Sequence, residues 1–341
     1  MTTTRTTADA EDRLPDETVD AVVIGGGAAG LNGALMLARS RRFVVVIDSG
    51  SPRNAPATGV HGLLGLDGTP PGELLRTGRA EVRGYGGLVL AGVVTSVRAA
   101  ASSPEGDLRF HVTLADGRTV QARRLLVASG LRDVLPAIPG LAEHWGHSVV
   151  HCPYCHGWEV RDQPIGVVAT GPASVHHALL FRQLTDDLVY FTGSTELDQP
   201  TRARFAARDI RVIDTAVDAV VAAADGGIAG VRLADGRLVP RRVLAVATSL
   251  QARTEGLEEL GLELADLPGG MGRQIVSGLA GATNVSGVWV AGNATDLTAQ
   301  VGAAAAAGAL AGARLNADLA VADTEAAFAA AQPDVVLAGR P

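Results

Sequence analysis

The pattern of apolar and polar positions near the start of the chain predicts a strand, a helix and a second strand in close succession. Residues 19–24 (Val-Asp-Ala-Val-Val-Ile) form a mostly apolar run of the kind found in buried strands. Apolar residues then recur at helical spacing over residues 31–41, and the run 43–47 (Phe-Val-Val-Val-Ile) predicts a second strand. This order of elements favours an α/β fold.

The turn between the first strand and the helix is rich in glycine. Gly25, Gly27 and Gly30 have the spacing G-x-G-x-x-G, and Asp48 follows the second strand. In dinucleotide-binding folds the first glycine allows a tight turn, the second lets the backbone approach a pyrophosphate, and the third lets the helix pack on the strand. The helix N-terminus stabilises the phosphate charge, and the acid accepts a hydrogen bond from a ribose hydroxyl. The first unit is therefore predicted to bind a dinucleotide.

The chain then repeats itself in a shorter and degraded form. The sequence Leu-Ala-Asp-Gly-Arg occurs at 114–118 and again at 233–237, each time between alternating apolar residues, as in a β-hairpin. An Arg pair and a buried strand follow each copy. Upstream of the second copy, residues 165–174 predict another strand and glycine turn. A duplicated dinucleotide-binding fold explains this order, and two unrelated hairpins with the same turn sequence are the alternative.

A strand, a turn and an alanine-rich helix lie after both copies. Residues 287–293 predict the strand and turn, and the helix is expected to end near Ala313. This segment belongs to neither repeat and predicts a return to the first unit. We therefore expect two Rossmann-like domains, the second inserted into the first. The predicted parts are a first domain at 18–140 and 269–320, an inserted domain at 141–268, a disordered N-terminus at 1–17 and an Ala-rich C-terminal tail at 321–341, which is expected to form a peripheral helix.

Composition and charge narrow the classes of function. The chain has 341 residues, of which 47% are hydrophobic and 19% charged, and its net charge is −7 without a basic block. Neither nucleic acid nor an anionic membrane surface is therefore an expected partner. All 29 basic residues are Arg, and the absence of Lys excludes a Schiff-base lysine and a standard phosphate-binding loop.

The cellular location is predicted from three further features. The first ten residues lack the apolar segment of a signal peptide. The uncharged stretch 297–313 is too short and too weakly apolar to span a bilayer. Two cysteines are too few for a disulfide-stapled secreted domain. We expect the protein in the cytoplasm.

Both cysteines stand in one motif, Cys152-Pro-Tyr-Cys155, at the start of the second unit, and four of the eight histidines fall within residues 144–156. Three sites use such a pair: a zinc knuckle, a glutaredoxin-type domain and a redox pair beside a flavin. The histidines lack the paired spacing of a zinc knuckle, and a glutaredoxin fold needs a compact βαβ unit with a later proline-containing strand. The redox pair is favoured, and no metal site is predicted.

The other histidines have simple structural interpretations. His176 and His177 are expected at the start of a surface helix, and His111 alternates with core residues in a strand. His61 follows the loop 52–54 (Pro-Arg-Asn), which could wrap around a cofactor.

The two dinucleotide modules, the intervening C-x-x-C and the segment 292–297 (Gly-Asn-Ala-Thr-Asp-Leu) resemble low-molecular-weight thioredoxin-reductase-like flavoproteins over roughly residues 18–320. The resemblance implies a three-layer fold, FAD in the first domain and a homodimer. It also implies that Cys155 lies against the isoalloxazine and that Cys152 exchanges with substrate. The expected FAD contacts are Gly25, Gly27, Ala28, Ala29, Gly30, Asp48, Arg53, Asn54, His61, Val94, Ala128, Ser129, Gly130, Gly292, Asn293, Gln300 and Val301.

The sequence departs from the family pattern at two places. The Gly-Asp of most members ends in Asn293 here, which can still bond a ribityl hydroxyl but brings no charge. The second glycine turn, residues 169–174, lacks its first glycine, and residues 192–194 (Thr-Gly-Ser) replace the His-Arg-Arg that holds the 2′-phosphate of NADPH in the reductases. Arg202 and Arg204 could substitute only in part. The NADPH site is therefore expected to be degenerate.

Within the family, residues 152–159 (Cys-Pro-Tyr-Cys-His-Gly-Trp-Glu) resemble the dithiol oxidases of sulfur-containing natural-product pathways. Those enzymes close disulfides in molecules such as holomycin and gliotoxin and pass electrons through FAD to oxygen. The resemblance implies a base assembly at His151 and Asp296, with His156 as the rival base, and a small-molecule dithiol and O2 as partners. A thioredoxin reductase that uses NADPH or another donor, and a non-enzymatic zinc- or nucleotide-binding regulator, are the alternatives.

Overall fold

The structure, a computed structural model, describes residues 13–100, 109–193 and 195–331. The strands in chain order are β1 (Val19–Ile24), β2 (Val44–Asp48), β3 (Leu88–Ala91), β4 (Val94–Ala100), β5 (Arg109–Leu114), β6 (Thr119–Val127), β7 (Leu131–Val134), β8 (Val149–Val150), β9 (Ile165–Val168), β10 (Leu188–Phe191), β11 (Arg211–Ile213), β12 (Val217–Ala222), β13 (Ile228–Leu233), β14 (Leu238–Pro240), β15 (Val243–Val246), β16 (Ser249–Ala252), β17 (Leu264–Leu267), β18 (Gly272–Ile275) and β19 (Val288–Val290). The helices are α1 (Ala28–Arg39), α2 (Pro71–Gly84), α3 (Pro153–His156), α4 (Ala173–Phe181), α5 (Gln199–Ala206) and α6 (Val301–Ala331).

The first unit is built on one sheet with the order β3-β2-β1-β6-β5-β4. Strands β1, β2, β3 and β6 are parallel, whereas β4 and β5 continue the sheet in antiparallel pairing. The first half of β6 pairs with β5 and its second half pairs in parallel with β19. The segment after both repeats thus returns to the first sheet, as the sequence predicts.

The second unit repeats this plan on a smaller scale. Its parallel sheet has the order β11-β10-β9-β15-β8, and β12, β13 and β14 form a separate antiparallel sheet. A fourth sheet, in the order β17-β18-β16-β7, contains the two strands that cross between the units, β7 and β16, as an antiparallel pair. This arrangement confirms the predicted α/β fold with two Rossmann-like units.

The two copies of the repeated turn have the same conformation. The backbone N–H of Leu114 donates to the carbonyl of Arg118 at 2.9 Å, and the N–H of Leu233 donates to Arg237 at 2.9 Å. Gly117 and Gly236 have positive φ values of 85° and 86°, which glycine adopts without steric cost. Both turns close β-hairpins, β5–β6 and β13–β14, as predicted.

The long helix α6 packs on α1 through small residues. A side chain at Gly308 would collide with the backbone of Ala29, and one at Gly312 would collide with the backbone of Gly33. Glycine at these positions therefore allows the two helix backbones to touch, and Leu315 is fully buried one turn further on. Among the described helices, none is long and apolar enough to cross a membrane.

Two predictions about the ends of the chain are wrong. Within the predicted disordered segment 1–17, residues 1–12 lie outside the described residues, but Leu14 is only 6% exposed and packs in the core of the first unit. Helix α6 runs to Ala331, well past Ala313, because Asp323 pairs with Arg42 and Arg123 and anchors the later turns.

The inserted segment also rejoins the first unit earlier than residue 268. Leu257 and Leu260 are buried in the same hydrophobic cluster as Val97 of β4. The carboxylate of Glu259 accepts a hydrogen bond from Arg98 at 2.8 Å. The second crossing therefore lies at β16, because the apolar residues that follow this strand complete the first core.

Candidate functional site

A cavity in the first unit collects most of the residues predicted to bind FAD. It lies at the C-terminal ends of β1 and β2, where dinucleotides bind in open α/β sheets. The predicted residues that line it are Gly25, Gly27, Ala28, Ala29, Asp48, Arg53, Asn54, Ala128, Ser129, Gly130, Asn293, Gln300 and Val301.

The glycine turn has the geometry that a pyrophosphate site requires. Gly25 adopts φ +107°, and a side chain there would collide with the carbonyl of Ala128. Nothing lies within 4 Å of the place a side chain would occupy at Gly27, so the backbone at the start of α1 is open to a ligand. Gly30 does not line the cavity, because it packs against the carbonyl of Gly25 and brings α1 close to β1.

The acid at the tip of β2 is held in place by a residue that sequence reasoning missed. Oδ2 of Asp48 accepts from Nη2 of Arg79 at 2.7 Å, and Oδ1 accepts from the backbone N–H of Gly50 at 3.2 Å. Arg79 lies on α2. In the sequence it stands one helical turn from other Arg residues, as residues on a solvated helix face do, so the pattern did not identify it as a partner of Asp48.

Three other predicted contacts do not line this cavity. Val94 packs against the hydrophobic core from β4. Gly292 is buried, and a side chain there would press on Ala29. His61 lies between two acids, with Nδ1 at 3.4 Å from Asp67 and Nε2 at 3.4 Å from Glu159. The loop 52–70 therefore contacts the segment after the cysteines through His61.

The cavity wall includes further residues that the glycine fingerprint does not predict. Most are apolar or small, and they come from the loop after β2, from α2 and from the start of β7. Arg253 joins them, and its backbone N–H donates to the carbonyl of Gly130 at 2.9 Å. The added residues are Gly26, Ser49, Ser51, Pro52, Pro71, Leu74, Leu75, Leu131, Arg253, Ala291, Ala299 and Ala304.

The cysteine motif meets this cavity from the second unit. Cys155 lines the cavity, whereas Cys152 precedes the short helix α3 and its sulfur accepts a hydrogen bond from the backbone N–H of Cys155 at 3.2 Å. The hydrogen bond from the Cys155 thiol lowers the pKa of Cys152 to about 7, against the effect of burial. The same hydrogen bond and burial raise the pKa of Cys155. Cys152 is therefore the thiol that ionises first.

His151, next to Cys152, is fixed by a backbone carbonyl. Its Nδ1 lies 3.0 Å from the carbonyl oxygen of Val246 and 3.4 Å from the backbone nitrogen of Thr248. The shorter contact favours a proton on Nδ1, which leaves Nε2 as the basic nitrogen. Burial lowers the pKa of His151, so the imidazole is neutral at pH 7.

The other two predicted members of the base assembly have different surroundings. Asp296 is exposed, and its Oδ1 accepts from the backbone and hydroxyl of Thr298 at 3.0 and 2.8 Å. The structure shows no hydrogen bond between Asp296 and His151. Both ring nitrogens of His156 are buried without a hydrogen-bond partner in the described part of the chain, and burial lowers the pKa of this imidazole.

The carboxylate that acts on His151 is one the sequence did not single out. Asp133, on β7, accepts two hydrogen bonds from Arg53, at 2.7 Å each, and one from the hydroxyl of Thr248 at 2.7 Å. Burial alone would raise the pKa of Asp133, but the hydrogen bonds and charge of Arg53 hold it low. No motif marks Asp133, because its partners come from distant parts of the chain.

His177 is a further correction to the predicted surface helix. Of the two histidines on α4, His176 is exposed, whereas His177 is 7% exposed and donates from Nε2 to the carbonyl of His151. Burial lowers the pKa of His177 to about 4, so this ring stays neutral. His177 therefore supports the backbone that carries His151.

A second cavity lies at the second glycine turn, between the two units. His151 and His177 line it together with the start of α4 and the loop 269–271. Among the described residues, its wall contains no Arg, Asp or Glu. The remaining lining residues are Val134, Leu135, Pro136, Thr170, Gly171, Ala173, His176, Leu180, Ala247, Thr248, Ser249, Leu250 and Thr298.

Two residues that could recognise a nicotinamide dinucleotide, Gly171 and Arg202, have contacts within the protein. The carbonyl of Gly269 lies 3.5 Å from the place a side chain would occupy at Gly171, so the loop 268–270 stands over the second glycine turn. Arg202 forms a bidentate pair with Asp214, at 2.6 and 3.2 Å. Of the segment 192–194, Ser194 lies outside the described residues.

The comparison with known families and proteins agrees with this arrangement. Residues 19–309 match the family described as pyridine nucleotide-disulphide oxidoreductase. A thioredoxin reductase named tcpT from Claviceps purpurea is 37% identical over 284 residues, which cover 81% of this chain and 86% of that protein. A thioredoxin reductase named sirT from Leptosphaeria maculans is 29% identical over 310 residues, or 87% of this chain and 93% of that protein.

Solved structures give the same result. The crystal structure of HlmI superposes with a TM-score of 0.86 at 43% identity, covering 94% of this chain and 98% of HlmI. An oxidoreductase from Agrobacterium tumefaciens superposes with a TM-score of 0.81 at 34% identity, covering 89% of this chain and 99% of that one. Over most of its length the chain thus shares sequence and fold with flavin-dependent disulfide oxidoreductases, and it belongs to the pyridine nucleotide-disulphide oxidoreductase family.

Proposed function

We propose that the protein is an FAD-dependent dithiol oxidase, which converts a small-molecule dithiol to its intramolecular disulfide with oxygen as the terminal electron acceptor. One observation carries the proposal: the cysteine motif reaches the first cavity, and the residue directly before the motif lines the second. Cys155 lines the cavity that fits FAD, and His151, the neighbour of Cys152, lines the second cavity. A small dithiol in the second cavity would meet the base, which is next to the outer cysteine in the sequence.

The residues of the first cavity fit FAD. The open backbone at Gly27 suits the pyrophosphate, and Asp48 suits a ribose hydroxyl. The amide nitrogen of Asn293 donates to the carbonyls of Asp296 and Ala299, at 2.9 Å each, which leaves its oxygen free to accept from a ribityl hydroxyl. FAD, when bound, supplies a two-electron carrier between the cysteine pair and oxygen.

His151 prepares the substrate for exchange. Only a thiolate attacks a disulfide, and an ordinary thiol has a pKa of about 8.5. The neutral His151 can accept that proton at Nε2, because the Val246 carbonyl holds the proton on Nδ1. A buried imidazole with a lowered pKa also stays available as a base in mildly acidic solution.

The exchange then proceeds in two displacements. The substrate thiolate attacks Cys152 in the Cys152–Cys155 disulfide, an S–S bond forms to Cys152, and Cys155 leaves as a thiolate. The second substrate thiolate attacks the substrate sulfur, closes the product disulfide and releases Cys152. The low pKa of Cys152 makes it a good leaving group. The cysteine pair has then gained two electrons, and oxygen finally takes them and becomes hydrogen peroxide.

A degenerate NADPH site is part of the proposal. The loop 268–270 over the second glycine turn, the absence of Arg from the described wall of the second cavity and the pairing of Arg202 with Asp214 support it. The second candidate function is thioredoxin-disulfide reduction with NADPH or another donor, which the names of the fungal relatives favour.

Two anaerobic reactions, followed by a measurement of oxygen uptake in air, distinguish the oxidase from the reductase. The purified holoenzyme is mixed with NADPH in one cuvette and with dithiothreitol or dihydrolipoamide in another, and the flavin absorbance is recorded. The oxidase predicts bleaching by the dithiol and, in air, equal amounts of oxygen consumed and dithiol oxidised. Rapid bleaching by micromolar NADPH, with turnover of thioredoxin and none of the dithiols, would establish the reductase instead.

A further inference from the structure

Asp133 is a buried charge in a place where the fold does not need one. It lies on β7, the first crossing strand, opposite Leu250 of β16. Only 7% of its side chain is exposed. Burying a carboxylate is costly unless the charge is paired and its oxygens accept hydrogen bonds. An apolar residue would maintain the strand pairing equally well, so the carboxylate requires another explanation.

Three hydrogen bonds tie Asp133 to two other segments. Nε and Nη2 of Arg53 donate to its two oxygens at 2.7 Å each, in the bidentate geometry that fixes a guanidinium most firmly. The hydroxyl of Thr248 donates to Oδ1 at 2.7 Å. One carboxylate therefore holds a residue from the loop of the flavin cavity and a residue from the end of the second crossing.

Both hydrogen-bond partners of Asp133 lie near the cysteines or His151. Arg53 lines the same cavity as Cys155, and the backbone nitrogen of Thr248 lies 3.4 Å from Nδ1 of His151. The ionisable groups that act on Cys152 are Cys155 and Arg53, and those that act on His151 are Arg53, Asp133 and His177. The positive charge of Arg53 favours a thiolate at either cysteine.

We propose that Asp133 is a positioning residue for the cysteine pair: it anchors the guanidinium of Arg53 beside Cys152 and Cys155 and offsets part of its charge. The anchoring raises the positive potential at the sulfurs, whereas the negative charge reduces it. The two effects have opposite signs and can be separated by substitution. The proposal holds for either direction of electron flow, so it does not depend on the oxidase assignment.

The experiment measures the ionisation of Cys152 directly. The holoenzyme is reduced, kept anaerobic and treated with iodoacetamide over a range of pH on both sides of neutrality. Mass spectrometry locates and quantifies the label on Cys152, and the midpoint of the rate profile gives the thiol pKa. The variants are Asp133→Asn, which removes the charge and keeps hydrogen-bonding atoms, and Asp133→Ala, which removes both.

The two variants should move the midpoint in opposite directions. Asp133→Asn leaves Arg53 in place without its counter-charge, so the Cys152 midpoint should fall by roughly 0.3–1 pH unit. Asp133→Ala releases Arg53 toward solvent, so the midpoint should rise by a similar amount. Asp214→Asn and Asp214→Ala are matched controls, because Asp214 forms the same bidentate pair with Arg202 in the second unit. Neither control should move the midpoint.

A role in folding alone would move the melting temperature and leave both midpoints unchanged, and that result would overturn the proposal. Shifts of the same sign in Asp133→Asn and Asp133→Ala would overturn it as well. If Asp133→Ala does not fold, as judged by flavin content and thermal melting, Arg53→Gln takes its place. This variant removes the positive charge itself and must raise the midpoint if the proposal is correct.

Discussion

The imidazole of His151 and the carbonyl of Val246 meet at 3.0 Å, and this contact joins the residue before the cysteine motif to the last residue of β15. An interior strand of the second unit's parallel sheet thus sets the orientation of the ring. Because the carbonyl can only accept, it favours the tautomer in which Nε2 is basic. In the proposed mechanism, the second unit supplies both the redox pair and the group that prepares its substrate.

Removal of this imidazole should slow oxidation without loss of the flavin. We expect His151→Ala to lower kcat/KM for dihydrolipoamide by about 10²–10⁴-fold, because the substrate thiol loses its base. His156→Ala serves as the comparison, and a larger loss there would transfer the role of base to His156. Because burial lowers the pKa of His151, the acidic limb of the wild-type pH profile of kcat/KM should lie below pH ~6.5. This limb should be absent from the profile of His151→Ala.

The cysteine pair should be separable from flavin binding. We expect Cys155→Ser to keep a full complement of FAD, because Cys155 is the only second-unit residue among those lining the described wall of the first cavity. The same variant should lose dithiol-driven oxygen uptake, because no disulfide can form. Flavin content after denaturation and an oxygen electrode give the two readouts. Among the described residues no three metal-ligating side chains are grouped, and stoichiometric zinc by metal analysis would contradict the redox interpretation.

NADPH should be a poor reductant of this flavoprotein. The missing glycine of the second turn and the missing Arg pair remove the turn geometry and a charge-assisted phosphate contact, which is worth roughly 1.5–3 kcal/mol. Together they should weaken binding by about two to four powers of ten. Stopped-flow measurement of flavin bleaching against NADPH concentration checks this, and saturation at micromolar concentrations would show that the site is intact.

The wall of the second cavity, which contains no Arg, Asp or Glu among the described residues, should select among dithiols of the same reactivity. Dihydrolipoamide and dihydrolipoate share one dithiol and differ in an amide or a carboxylate. We expect kcat/KM for dihydrolipoate to be lower by about tenfold or more, because a carboxylate would enter a wall without an Arg partner. Equal kcat/KM values for the two dithiols, at both high and low ionic strength, would place the substrate outside this cavity.

The contact between α1 and α6 should be sensitive to a single methyl group. We expect Gly308→Ala to destabilise the protein by roughly 1–3 kcal/mol, because the added carbon meets the backbone of Ala29, which cannot move away. Gly302→Ala in the same helix is the control, since its added carbon makes only an ordinary contact with Leu63 at 3.7 Å. Thermal melting followed by circular dichroism compares the two, and equal melting temperatures would show that the helices separate easily.

Local signals in the sequence predict the fold and the flavin cavity well. The fingerprint at Gly25 and Asp48 and the returning segment at Asn293 and Gln300 all line one cavity, because each lies where a parallel strand ends. Asp133 could not be predicted in this way. Its role depends on hydrogen bonds to residues far away in the sequence, and no periodicity or spacing records such contacts.

The errors have physical causes as well. Leu14 stands alone among polar residues, so composition suggested disorder, yet one leucine is enough to fasten the segment to the core. His177 follows another histidine at the start of a helix, and only the rotation of α4 decides which ring is buried. Asp296 follows the expected turn, but its own loop satisfies its carboxylate at Thr298.

The flavin cavity is assembled from the two ends of the chain, with Gly25 and Asp48 near the beginning and Asn293, Gln300 and Val301 near the end. During synthesis on the ribosome, the first sheet must therefore wait, without β19 and α6, until the whole second unit has emerged. A chain that stops early presents an incomplete cavity and an exposed face of α1. Cofactor capture therefore requires that β19 and the start of α6 have been synthesised, and a full-length chain with bound FAD should resist proteolysis better than a truncated one.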